Sequence, residues 1–259
     1  MKTSMVGAMV LVSALAAGIA SAQPARGETV KIYAAAAVKT PLTHIIAGYE
    51  KTSGNTVTVV YDTAGATEQK FRADPDAALL ITTAPLIRNA ESAGALKDGT
   101  TILLGGTVAA VAVPPGSKKP DVSTPGKLKA ALLAAKRVAF SDPARGATVG
   151  THFIKVIETL GIKDEVLKKA TLARDGVETL RLVVEEGVDI GVSQSSEILQ
   201  AHPDAMAGPF PKELALATDF SLWHRKAMSS GTKDIVGLLT GPAGREKLAA
   251  EGLLPPPAR

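Results

Sequence analysis

Apolar and polar positions alternate between two periods along most of this chain, and the alternation predicts its elements. Val30–Ala34 (VKIYA) reads as a buried strand. Leu42, Ile45, Ile46 and Tyr49 then recur at helical spacing, so the next segment is a helix packed on a sheet, closed by Ser53-Gly54-Asn55. Thr56–Tyr61 (TVTVVY) is rich in β-branched residues and predicts a second strand. A turn at Asp62–Gly65, a helix around Thr67–Arg72 and a third strand at Ala78–Thr82 follow. Strand and helix alternate, which implies parallel strands covered by helices.

Thr107–Val113 (TVAAVAV) predicts another strand, and Pro114-Pro115-Gly116 with the polar stretch to Pro125 interrupts the pattern. Alternation then resumes: helix Lys127–Ala135, strand Arg137–Phe140, helix Val149–Leu160, helix Val177–Glu186 and strand Asp189–Val192. A strand at Leu214–Leu222, helices at Lys233–Leu239 and Arg245–Glu251 and a Pro255–Pro257 tail end the chain. The fold class expected is α/β with two parallel sheets, and the chain has no internal repeats. Such sheets bind small molecules at the carboxyl ends of their strands.

The first residues change where this fold is expected to work. Lys2 precedes an uncharged, mostly apolar run from Met5 to Ile19, and Ala20-Ser21-Ala22 precedes Gln23. That order is the pattern of a cleaved secretory signal over residues 1–22, and it predicts export to the periplasm. The run is short for a membrane span, so no membrane insertion is expected after cleavage. About 237 residues would remain, enough for one large domain or two lobes.

Composition narrows the chemistry. The chain has no cysteine, which excludes thiolate metal sites and a cysteine nucleophile. Aromatics are 3% with Trp223 the single tryptophan, too few for an aromatic cage or sugar platform. The formal charge of +4 comes from dispersed Lys and Arg without a basic stripe, so no nucleic-acid partner is expected. His44, His152, His202 and His224 are not at metal-ligand spacing, and there is no phosphate loop or dinucleotide fingerprint, so no metal and no cofactor are expected. Gly191-Val192-Ser193-Gln194-Ser195 nearly spells a hydrolase elbow but lacks its last glycine. An exported serine hydrolase using Ser193 or Ser195 with His202 or His224 is therefore the weaker alternative, and no catalytic residue is assigned.

Four strand-to-helix junctions are rich in small or hydroxyl residues: Ala34–Lys39 (AAAAVK), Asp62–Thr67 (DTAGAT), Asp142–Gly150 (DPARGATVG) and Ser193–Ser196 (SQSS). Helix amino termini carry unpaired N–H groups and partial positive charge, and small residues let a ligand approach them. Each junction alone is ordinary capping chemistry, but four at one end of the strands predict an anion site.

The order of these junctions resembles the periplasmic substrate-binding proteins of ABC importers, most of all the molybdate-binding family. An A-A-A-S-L-like loop is matched by Ala34-Ala35-Ala36-Ala37-Val38, and a serine-rich turn by Thr63-Ala64-Gly65-Ala66. A D-P turn is matched by Asp142-Pro143-Ala144-Arg145-Gly146-Ala147-Thr148-Val149, and a G-I-V-Y-x-S-D-A stretch by Gly191–Ile198. The resemblance implies a two-lobe fold of type II, each lobe a mostly parallel sheet flanked by helices, with the ligand cleft between them. Residues 23–106 and 215–259 would form lobe 1 and residues 107–214 lobe 2. It implies a receptor, by default monomeric, that closes on a small anion and delivers it to a membrane permease; a sensor or scavenger without a transporter is the alternative. The family's two oxyanion-binding serines fall on Ala37 and Ala64, its tyrosine on Gln194, the alanine of its D-P turn on Thr148 and its backbone-donating valine on Val177. Thr63, Thr67, Thr83, Thr148, Ser193 and Ser195 stand as replacement donors, and Arg145 could grip a carboxylate. These departures predict weakened molybdate binding and a roomier pocket for a larger anion such as a small organic acid.

Overall fold

A computed structural model describes residues 27–255; the expected leader and the last prolines of the tail lie outside the described residues. The elements run β1 (Thr29–Ala35), α1 (Lys39–Ser53), β2 (Thr56–Asp62), α2 (Ala64–Ala73), β3 (Leu79–Thr83), α3 (Ala84–Ser92) and β4 (Gly99–Ala112). They continue α4 (Pro125–Ala134), β5 (Val138–Ser141), α5 (Thr148–Thr159), α6 (Lys163–Leu167), β6 (Ala170–Ala173), α7 (Gly176–Val184), β7 (Ile190–Gln194) and α8 (Ser195–Ala201). The chain then forms β8 (Met206–Pro209), β9 (Ala217–Arg225), α9 (Ser230–Thr240) and α10 (Pro242–Ala250).

The strands are ordered β2-β1-β3-β9-β4-β7-β5-β6, with β8 beside β4. The outer groups are parallel: β1 with β2 and β3, and β5 with β6 and β7. The centre is not. β9 runs antiparallel to β3 and β4, and β4 antiparallel to β7. Both expected parallel groups are present, and the long β4 and β9 join them antiparallel into one continuous mixed sheet, a join the sequence reading did not foresee. Sequence periodicity found only the second half of β4, because Gly105 and Gly106 interrupt its apolar pattern where the register with β9 shifts.

Hydrophobic burial gathers on both sides of each parallel group. One set of clusters draws on residues 30–104 and 220–253, including Ile32, Leu42, Leu79, Ile235 and Leu248 around α1, α9 and α10, and Tyr33, Phe71 and Trp223 on the opposite face. The other draws on residues 109–214, with Phe140, Phe153 and Ile157 beneath α4 and α5, and Leu180, Val183 and Ile198 beneath α7 and α8. α1 ends where expected, on Gly54 in the left-handed conformation (φ 71°). β1 and β2 on one side, and β5 and β7 on the other, direct their carboxyl ends into the same space. Among the described residues no helix is long and apolar enough to cross a membrane.

Candidate functional site

All four junctions meet there. Ala35, Ala36 and Ala37 lie at the end of β1; Asp62, Thr63 and Ala64 at the end of β2; Ser141, Ala147, Thr148 and Val149 at and beyond the end of β5; Gln194 and Glu197 at and beyond the end of β7. With Gly176 and Phe220 they enclose a cavity of about 40 Å³, room for a few water-sized groups. Glu197 and Phe220 stand in its wall beside Ala37 and Ala64.

Three helix amino termini border this space. Ala64 opens α2, Thr148 and Val149 open α5, and Gly176 and Val177 open α7. First-turn amides have no acceptor within their own helix and carry the positive end of its dipole. Helix α2 starts three residues earlier than periodicity suggested, because Thr63 caps it by accepting from the Ala66 amide. Asp175 caps α7 in the same way, accepting from the Glu178 amide at 2.9 Å.

The two sides of the cavity are held together directly. The Gly65 amide donates to the Gly146 carbonyl at 3.1 Å, and the Thr63 hydroxyl donates to the Arg145 carbonyl. A Cβ added to Gly65 would lie 2.9 Å from the Gly146 Cα, so the approach requires glycine. The Arg145 guanidinium reaches both Asp62 oxygens at 3.3 and 3.4 Å and also donates to the Arg174 carbonyl at 3.0 Å. Arg145 therefore bridges the two sides and does not line the cavity.

Asp62 and Glu197 are two buried carboxylates in opposite electrostatic states. Burial raises the pKa of Asp62, but the Lys70 hydrogen bond at 2.7 Å, the Thr63 amide and the charges of Lys70 and Arg145 outweigh it and hold it below the usual carboxylate range. Burial likewise pushes Glu197 up, to about 7, and the Ser193 hydroxyl and Gln194 amide that donate to it only partly compensate, while the Asp175 charge raises it further. The carboxylate packs directly on Gly176, where no Cβ would fit.

Of the residues expected to bind, Ala37, Thr63, Ala64, Thr148 and Gln194 line the cavity. Val177 is half-buried beside Gly176 in the first turn of α7. Thr83 lies elsewhere, in a cleft of about 670 Å³ on the outer side of the Gly65–Gly146 contact, with Arg88, Thr148 and Asp219. Thr67 turns inward to the Ala34 carbonyl at 3.4 Å. Ser193 is spent on Glu197, and Ser195 pairs with the Thr107 hydroxyl at 2.7 Å, tying α8 to β4. Neither serine is hydrogen-bonded to a histidine, so the elbow-like stretch forms no Ser–His pair. His44 is exposed beside Glu251, and His152 bonds the Leu214 carbonyl at 2.8 Å. Sequence reasoning missed Asp62, Ser141 and Glu197 as wall residues. Ser141 carried a readable signal, since it is the polar last residue of an otherwise apolar strand, and Asp62 is the charged last residue of β2.

Solved structures share this architecture at low identity. The periplasmic molybdate-binding protein of Azotobacter vinelandii superposes with a TM-score of 0.72 at 16% identity, covering 88% of this chain and 99% of that one. A putative phosphate ABC transporter substrate-binding protein of Clostridium perfringens, with bound phosphate, gives 0.65 at 12% identity over 88% and 100%. The sulfate-binding protein SubI of Mycobacterium tuberculosis gives 0.64 at 14% identity over 88% and 87%. These neighbours are type II periplasmic binding proteins, and the likeness extends to the two-lobe fold expected from the sequence. The search of curated proteins gave no match. The family model for bacterial extracellular solute-binding proteins matches residues 30–254, and the chain belongs to that family.

Proposed function

We propose that this protein is an exported receptor that captures a small anion in the cavity between its two halves and delivers it to an ABC importer. The supporting observation is the convergence of the amino termini of α2, α5 and α7 on one pocket whose lining includes no lysine or arginine. Helix termini supply the positive potential in such a site. The lobes would be residues 23–106 with 215–259, and residues 107–214, closing through the Gly65–Gly146 and Asp62–Arg145 contacts as a hinge motion. Export would follow from the leader at residues 1–22, and the receptor would act as a monomer without chemistry of its own.

Thermal melting of the mature chain with molybdate, tungstate, sulfate, phosphate and small carboxylates tests this. A ligand at 100 times its dissociation constant adds about 2.7 kcal/mol of stability, and at least one anion is expected to do so. No stabilisation by any of them would contradict the reading.

A further inference from the structure

The cavity holds more acceptors than an anion alone would need. Gln194 is 5% exposed and lines the cavity; its Oε1 approaches the Glu197 amide in a capping box at the start of α8 but is buried without a full hydrogen bond, while Nε2 donates to the Thr218 hydroxyl at 3.3 Å. A buried amide oxygen left unpaired is costly, so it marks a donor yet to come. Beside it, Glu197 accepts from Ser193 and Gln194 through Oε2, leaving Oε1 without a donor among the described residues. Unlike Asp62, which Lys70 and Arg145 neutralise, Glu197 has no cationic partner among the described residues. Once Glu197 is ionised, a ligand made only of acceptors would face both groups with nothing to offer them.

We propose that the captured anion carries an O–H of its own, which donates to Gln194 Oε1 or to the Glu197 carboxylate while its other oxygens accept from the helix amides. The site then prefers a protonated tetrahedral oxyanion, or a small hydroxy acid, over a proton-free dianion of equal charge such as sulfate or molybdate. This rests on the anion-receptor reading and names its ligand class.

Isothermal titration of the mature protein at about pH 8 separates the cases. There inorganic phosphate carries the same two negative charges as sulfate and molybdate but retains one proton. Glycolate against acetate makes the same comparison for a carboxylate and identifies the source of the O–H. Phosphate over sulfate, or glycolate over acetate, is expected by about 10- to 150-fold, falling to within a few-fold in Gln194→Leu or in the isosteric Glu197→Gln. Equal or tighter binding of sulfate or molybdate would overturn the proposal while leaving the anion receptor standing; it would mean that the Gln194 amide presents Nε2 to the ligand. A preference that persists in both variants would also overturn it. If no anion binds, the receptor reading falls with it.

Discussion

The two walls of the cavity are built from different materials. The wall after β1 and β2 presents Ala36, Ala37 and Ala64, and its single charge, Asp62, is neutralised by Lys70 and Arg145. The wall after β5 and β7 presents the side chains of Ser141, Thr148, Gln194 and Glu197. One wall offers backbone donors with almost no side-chain chemistry. The other carries an unpaired acceptor and a carboxylate that titrates near neutrality. Affinity for negative charge can come from helix termini on both sides, but discrimination between anions resides on the second wall.

The largest expected effect removes the titrating group. Glu197 in the folded state keeps a proton that the unfolded chain releases from about pH 4.5, so stability should decline as pH rises from there through about 7. The loss would reach about 3 kcal/mol. Chemical denaturation at several pH values should show this decline in the native protein and not in Glu197→Gln, which should be the more stable of the two at high pH. A pH-independent difference would place the role of Glu197 in packing alone.

Closure comes next. Gly65→Ala puts a Cβ 2.9 Å from the Gly146 Cα. Such overpacking costs about 1–3 kcal/mol, so phosphate affinity should drop by about 5- to 150-fold, with a larger radius of gyration in X-ray scattering. Unchanged affinity would mean that the walls need not meet to bind. A smaller effect is expected from Ala64→Ser, which adds one hydroxyl to the bare wall: about 1 kcal/mol, or a few-fold to tenfold tighter molybdate binding by calorimetry. The smallest should be Arg145→Ala. Its side chain is 40% exposed, and a pair of that kind contributes at most about 1 kcal/mol, so affinity should fall less than about fivefold.

The same contrast explains how much of the molecule was legible in its sequence. The strands at 30–34, 56–61 and 78–82 and the helix on Leu42, Ile45, Ile46 and Tyr49 were readable because each buries a regular apolar face. The first half of β4 was not, since Gly105 and Gly106 break its pattern and only its contact with β9 makes it a strand. β6 is four residues at the sheet edge with Leu172 exposed, too short for any period to register. The bare wall was legible as well, because small residues at strand ends announce close approach to backbone. The second wall was harder: Ser193 and Ser195 looked like donors, and only the fold shows that Glu197 and Thr107 consume them. Glu197 stood only as the acidic residue of the Gly191–Ile198 stretch, and its significance arises from burial against Gly176 in another element.

The most direct test of the account is to locate an anion. Crystals of the mature protein grown with arsenate, a heavy analogue of phosphate that retains its proton, would give an anomalous signal for arsenic. The account predicts one strong peak between Ala64, Thr148 and Gln194, with an arsenate oxygen within hydrogen-bond distance of Gln194 Oε1. A peak in the outer cleft beside Thr83 and Arg88, or in the cavity with Gln194 turned away from it, would contradict the assignment of discrimination to the second wall.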